Sequence, residues 1–233
     1  MRERFAGELA EIEGHLAREL IRAGGVLELI ADAVVRCSAG RAGEIARAAD
    51  RLRAAGRHVD AQLIEVTARQ APVAGDLRLV VSLIQVAHRG VLIANQFGLI
   101  GEQLGELDPD VRDPQQTVGQ LSMMTELARR QILRATQAFA ARDAEAAITL
   151  ERQDDALDRI NRQVFEATLG LDADPSEREL AFRYVLIARS LERIGDNAVD
   201  IAEQAVFLVT AQLQEFSDAS RPKSARMIEL DGD

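Results

Sequence analysis

Three acidic side chains recur at four-residue intervals in the last third of the chain: Glu192, Asp196 and Asp200. Apolar residues around them follow helical spacing, so the three carboxylates are expected to form one stripe along a helix. Like charges four residues apart destabilise an isolated helix by roughly 0.2–0.5 kcal/mol per pair. The stripe therefore predicts a compensating positive charge, which is either a neighbouring arginine (Arg189 or Arg193) or a bound cation.

A second acidic pair, Asp154 and Asp158, has the same four-residue spacing on the preceding helical segment. Because consecutive helices of a bundle lie antiparallel and adjacent, this pair is expected to face the stripe. An all-oxygen ligand set suits hard ions such as Mg²⁺, Mn²⁺, Ca²⁺ or ferric iron and does not suit a structural zinc. The predicted metal ligands are Asp154, Asp158, Glu192, Asp196 and Asp200.

The same carboxylates also have a purely structural interpretation. Arg189 stands three residues before Glu192, and Arg193 three before Asp196, so two ion pairs would balance the stripe without a metal. The two interpretations differ in pH dependence. A stripe without a cation gains stability as the pH falls, whereas a metal site loses its ion to protons.

An enzymatic role is not expected. None of the three histidines, His15, His58 and His88, stands three residues after a glutamate, so the Glu-x-x-His pairs of di-iron bundles are missing. The chain also shows no Ser/His/Asp grouping and no glycine-rich phosphate loop. We therefore predict a binding protein and not an enzyme.

The composition favours a helical protein of the cytoplasm. Apolar residues make up 47% of the 233 residues and aromatic residues only 3%, which suits helix-on-helix packing better than a sheet. The net charge of −10 argues against nucleic acid or anionic lipid as the main partner. Cys37 is the single cysteine, so no disulfide framework is expected. No apolar run approaches the 18 or so residues that span a membrane, and direct membrane insertion is not expected.

Helical periodicity, interrupted at proline and glycine, predicts six long helices. They are expected over about 5–34, 41–70, 76–105, 115–142, 143–169 and 176–213. The expected organisation is a first three-helix bundle at 1–106, a linker at 107–114, a second three-helix bundle at 115–213 and a disordered tail at 214–233.

The two halves of the chain are related by an internal repeat. An offset of 101 residues aligns Asp76–Asn95 with Glu177–Asp196 without a gap, and an offset of 98 aligns Asp60 with Asp158. The predicted fold class is therefore all-α, with six long helices in two tandem three-helix bundles.

Three stretches of the sequence resemble the PhoU family of phosphate-uptake regulators. The most specific is residues 191–203, Leu-Glu-Arg-Ile-Gly-Asp-Asn-Ala-Val-Asp-Ile-Ala-Glu, which is close to that family's L-E-R-I-G-D-x-A-x-N-I-A-E. The second is Asp154-x-x-x-Asp158. The third is residues 69–78, which are close to Q-P-x-A-x-D-L-R. The resemblance covers about residues 2–210.

The resemblance implies two three-helix bundles related by a pseudo-two-fold axis, and a cytoplasmic negative regulator that is not an enzyme. It implies binding of iron, manganese or another divalent ion through E/D-x-x-x-D motifs. The implied partners are the ATPase of the phosphate ABC transporter and a sensor histidine kinase. We expect one metal site or small cluster, with iron or manganese, on the second bundle, and a homodimer.

The first repeat departs from the family pattern. Its acidic positions have become neutral, and Asp60 is the surviving acid. The replacements are Val91 for Glu192, Asn95 for Asp196, Leu99 for Asp200 and Gly56 for Asp154. We expect the first bundle to keep its fold without a metal site. The alternative function is a metal-free helical scaffold or dimerisation protein that diverged from the family.

Overall fold

The computed structural model describes residues 2–70, 72–111, 113, 117–169 and 171–212, apart from the side chains of residues 2, 3 and 151–154. These residues form six long helices and one short 3-10 turn, and none of them is in a strand. The helices are α1 (Arg2–Val35), α2 (Ala42–Gln70), α3 (Gly75–Gly105), α4 (Val118–Ala141), α5 (Ala144–Leu169) and α6 (Pro175–Thr210). The predicted all-α fold class is confirmed, and the predicted tail lies outside the described residues.

The helices pack in two layers. One layer has the order α2, α3, α6, α5, and the neighbouring helices α1 and α4 pack against it. Because α3 packs on α6 and α1 on α4, the two three-helix groups share a continuous hydrophobic core. The division into bundles at 1–106 and 115–213 stays a prediction, but the groups are joined by core packing as well as by the linker.

Two polar contacts establish the direction of α3 against α6. Arg89 Nη1 lies 2.9 Å from Asp200 Oδ2, and Arg183 Nη1 donates to Gln103 Oε1 at 3.3 Å. Residue numbers rise along one helix as they fall along the other, so the helices are antiparallel. Since the 101-residue offset maps α3 onto α6, this central pair is related by a pseudo-two-fold axis.

The central position of α3 accounts for its apolar composition. By length and hydropathy it is the single helix among the described residues that would suit a membrane span, and 44% of the relevant window is buried. A core helix meets the same criteria, and α3 packs between α2 and α6. The expectation of no direct membrane insertion stays a prediction.

The segment between α3 and α4 packs against the core. Leu107 is buried, and Val111 contacts the hydrophobic core as a half-buried side chain. The carbonyl oxygen of Asp108 lies 3.7 Å from Cys37 Sγ, just beyond the end of α1. The described part of the predicted linker is therefore held against the protein.

The start of α6, which carries the acidic stripe, follows from local sequence. The Asp174 carboxylate accepts hydrogen bonds from the backbone N–H groups of Ser176 and Glu177 at 2.8 and 2.9 Å. The Glu177 side chain accepts one from the Asp174 N–H at 3.3 Å, which completes a capping box. Pro175 occupies the first turn, where its missing N–H costs nothing.

Helices α2 and α3 approach most closely at Gly56. A Cβ atom at this position would lie 2.6 Å from Val91 Cγ2 and 3.1 Å from the Ala87 carbonyl oxygen. Both distances are shorter than ordinary carbon contacts, and one of them is to rigid backbone. The absence of a side chain at Gly56 therefore allows the two helices to pack at this spacing.

We predict that Gly56→Ala lowers the free energy of unfolding by about 1–3 kcal/mol, because the added methyl group overpacks the interface. The control is Gly25→Ala on the exposed side of α1, where a Cβ would meet no atom within 4 Å. That change should stabilise the protein by up to about 1 kcal/mol through helix propensity. Urea unfolding measures both effects, and a gain of stability in Gly56→Ala would contradict the close approach.

Candidate functional site

The candidate site is centred on Glu192, which faces α5 from the middle of α6. Its carboxylate is 95% buried, since Glu192 is only 5% exposed. Arg189 Nη1 donates a hydrogen bond to Glu192 Oε2 from one turn earlier on the same helix. Asp158 and Asn161 on α5 are close enough to influence its ionisation. The carboxyl groups of Asp158 and Glu192 therefore approach each other from two helices, as the spacing predicted.

Burial is the largest influence on Glu192 and raises the pKa of its carboxyl group above the ordinary value. The positive charge of Arg189 lowers that pKa, while the negative charge of Asp158 raises it further. A hydrogen bond from Asn161 also favours the ionised form. The net direction is upward, so the folded protein holds a carboxylate that the local environment compensates only in part.

The other predicted ligands are less completely described. Asp158 and Asp196 are half-buried and both interact with other residues. The side chain of Asp154 lies outside the described part of the structure. Among the described His, Cys, Asp and Glu side chains, no group of three or more has the arrangement of a metal site. The assignment of metal ligands therefore stays a prediction.

Asp200 contacts the other bundle. Its carboxylate pairs with Arg89 of α3 at 2.9 Å, and the two side chains are 30% and 33% exposed. This ion pair joins α6 to α3 across the boundary between the repeats. Sequence analysis did not find Arg89, because helical spacing gives the exposed face of a helix but not the neighbour that it meets.

Two amides on α5 and α6 were also missed. Asn161 stands three residues after Asp158, on the same face of α5, so its role near Glu192 could have been found from spacing alone. Asn197 is buried and donates from Nδ2 to the Arg193 carbonyl oxygen at 2.6 Å. Its Oδ1 atom is buried and has no hydrogen-bond partner among the described residues.

The matching region of the first bundle has a different chemistry. Gly56 and Val91, which replace Asp154 and Glu192, are in direct apolar contact. Asn95, which replaces Asp196, accepts a hydrogen bond from Arg53 Nε at 3.1 Å. Asp60 is half-buried, and burial raises the pKa of its carboxyl group. These contacts agree with the expectation that this bundle keeps its fold without a metal site.

The donor set of the second bundle fits a hard cation in part. Glu192 and Asp158 bring carboxylate oxygens together in a poorly solvated place, which is the chemistry that such an ion needs. Two of the five predicted ligands, Glu192 and Asp200, already have arginine partners. A cation that used all five would have to compete with both arginines.

Comparison with known proteins supports the resemblance. Residues 121–205, which lie in the second bundle, match the family model of the PhoU domain. The chain belongs to the PhoU family. It is 26% identical over 212 residues to the phosphate-specific transport system accessory protein PhoU homolog of Pseudomonas aeruginosa, a match that covers 89% of this chain and 86% of that protein.

Solved PhoU structures share the fold. The phosphate transport system regulatory protein PhoU from Streptococcus pneumoniae superposes with a TM-score of 0.81 at 20% identity and covers 91% of this chain and 99% of that one. PhoU from Pseudomonas aeruginosa gives a TM-score of 0.81 at 24% identity, with 89% of this chain and 100% of that chain covered. The six-helix architecture is therefore that of PhoU.

We predict that, in chelated buffer, the protein becomes more stable as the pH falls from neutral towards the ordinary glutamic acid pKa. Burial raises the pKa of Glu192 in the folded state, so this state binds the proton more tightly than the unfolded chain does. Glu192→Gln should stabilise the protein at neutral pH and flatten this dependence. The lost ion pair contributes little because the Arg189 side chain is 52% exposed.

Urea midpoints between pH 5 and 7.5 measure the effect. Asp60→Asn is the control in the first bundle, since burial raises the pKa of this group too and contributes separately. A wild-type protein that loses stability relative to Glu192→Gln on acidification would contradict the prediction.

Proposed function

We propose that this PhoU protein is a cytoplasmic regulator of phosphate uptake and of phosphate-responsive signalling that acts by contact with other proteins. The observation that carries the proposal is the match to the PhoU domain together with relatives named as phosphate transport accessory proteins over 89% of the chain. Relatives with accessory and regulatory names also support a role without catalysis.

The proposed partners are the ATPase of the phosphate ABC transporter and a sensor histidine kinase, and the proposed assembly is a homodimer. A regulator that restrains uptake and signalling has to contact the proteins that perform them. The long exposed faces of α5 and α6 offer a surface for such contacts, and this is the half of the chain that matches the PhoU domain.

A strain that lacks this chain should express a phosphate-starvation reporter even in phosphate-rich medium, because the restraint on signalling is lost. The wild-type gene on a plasmid should restore repression, and Gly25→Ala, which changes an exposed side of α1, should restore it equally. Reporter activity in high and low phosphate is the measurement. A reporter that ignores the deletion in both media would contradict the proposed role.

We propose further that one hard cation or a small cluster, iron or manganese, binds between α5 and α6. Asp154, Asp158, Glu192 and Asp196 would hold it, and Asp200 would join only by leaving Arg89. The partly compensated charge of buried Glu192 beside Asp158 supports this proposal. When bound, the ion would neutralise this acidic face and present it to a partner.

Protein purified without chelators or an affinity metal should contain about one or more iron or manganese ions per chain by elemental analysis. Asp158→Asn/Asp196→Asn should lose them, because two predicted ligands are removed. The matched control is Asp60→Asn, at the position of the first bundle that corresponds to Asp158. Equal metal content in the double variant and the wild type would contradict the site.

A metal-free protein–protein contact role is the second candidate. Its supporting observation is that Arg189 and Arg89 already partner two of the predicted ligands. In this alternative the arginines, and not an ion, balance the acidic stripe. Purified protein without any metal, together with an intact reporter response in Asp158→Asn/Asp196→Asn, would favour it.

A further inference from the structure

The hairpin end of α5 and α6 exposes four large apolar side chains. Phe165 and Leu169 lie one turn apart on α5, and Phe182 and Leu186 lie one turn apart on α6. They are 49%, 71%, 58% and 36% exposed in that order, whereas a typical surface shows such residues singly. Contiguous exposed apolar groups of this kind mark interaction sites.

The contacts of Glu192 show that the four side chains are level with one another. Glu192 of α6 lies beside Asp158 and Asn161 of antiparallel α5. Moving about six residues towards the hairpin on each helix reaches Leu186 and Phe165. About four residues further, the same count reaches Phe182 and Leu169, so the four residues form two adjacent rows across the pair of helices.

Basic side chains follow the apolar rows in the direction of the acidic site. Arg162 is level with Arg189, and Arg193 stands one turn beyond on the exposed stripe that contains Phe182 and Leu186. Neither Arg162 nor Arg193 makes an ion pair with any residue that the structure describes. In a chain of net charge −10, this is a local concentration of positive charge.

The first bundle lacks this combination. Val81 corresponds to Phe182, Gln85 to Leu186 and Leu92 to Arg193 under the 101-residue offset. The two aromatic rings and the arginines are thus a property of the second bundle and not of the repeated fold. The chain beyond α6 begins at the far end of that helix, about 42 Å from Phe182 at 1.5 Å per residue.

We propose that this surface binds an amphipathic helix of a partner protein that carries acidic residues beside its apolar face. We call it the apolar–basic surface, and it consists of Phe165, Leu169, Phe182, Leu186, Arg162 and Arg193. The inference rests on the proposed function by protein contact and names the kind of partner segment. An apolar groove between two helices takes the apolar stripe of a third, and aromatic and arginine side chains dominate such interfaces.

The charges specify the partner further. The apolar rows and the arginines are separated by about one to two turns along the groove, so the partner helix needs two apolar residues four apart and acids one to two turns from them. Opposite charges at the edge of an interface accelerate association and select the partner, and salt weakens this effect. An acidic helix therefore fits, whereas a basic helix would be repelled by Arg162 and Arg193.

The experiment measures binding of the full-length chain to the transporter ATPase and to the sensor kinase by biolayer interferometry. Phe182→Ser should weaken binding at least about tenfold through loss of a central aromatic contact. Arg162→Glu/Arg193→Glu should slow association and remove its salt dependence. The control Val81→Ser changes the corresponding exposed position of the first bundle and should leave the affinity unchanged. Circular dichroism verifies that each variant is folded.

The outcomes separate this proposal from the proposed function. A wild-type chain that binds neither protein overturns the proposed partners and this inference with them. Binding that survives both Phe182→Ser and the arginine variant overturns the inference alone. A change of oligomeric state in Phe182→Ser, with unchanged partner binding, assigns the surface to a second copy and overturns it as well. Hydrogen exchange on the partner should protect an acidic helix, and protection of a loop or strand would contradict the proposal.

Discussion

The packing of α3 against α6 is the contact on which the rest of the structure depends. Each three-helix group has more apolar surface than its own hairpins can cover, and the antiparallel α3–α6 pair buries the remainder in a shared core. Packing of α1 on α4 closes the second layer. The pseudo-two-fold relation follows from this arrangement, because a repeated unit that buries one face against its own copy does so symmetrically.

This common frame allowed the two bundles to acquire different chemistry. In the first bundle the absence of a side chain at Gly56 brings α2 against Val91, and dispersion contacts fill the space between the helices. In the second, Glu192 and Asp158 meet at the corresponding place, and a carboxylate is held where solvation is poor. The same backbone arrangement thus supports either apolar packing or concentrated negative charge. Burial penalises the second choice, so it requires an arginine, a proton or a cation nearby.

Arginines distribute the compensation over the molecule. Arg189 partners Glu192 within α6, whereas Arg89 partners Asp200 from α3 and so links the acidic helix to the other bundle. Both pairs are partly exposed, and exposed pairs contribute little to stability. Their main consequence is the orientation of the carboxylates. Asp200 is directed towards α3, while Glu192 is directed towards α5.

Local sequence determined the helices, their approximate ends and the acidic spacing, because periodicity, prolines and caps act within a few residues. The capping box at Asp174 and the four-residue intervals of Glu192, Asp196 and Asp200 are examples. The internal repeat and the family motifs were also readable from sequence. Only the tertiary structure decided that Arg89 meets Asp200, that Gly56 permits the approach of α2 and α3, and that Phe165 and Phe182 share one surface. The physical reason is that helical spacing specifies which face of a helix is apolar or charged, whereas the neighbour of that face depends on how all six helices bury their apolar surfaces together.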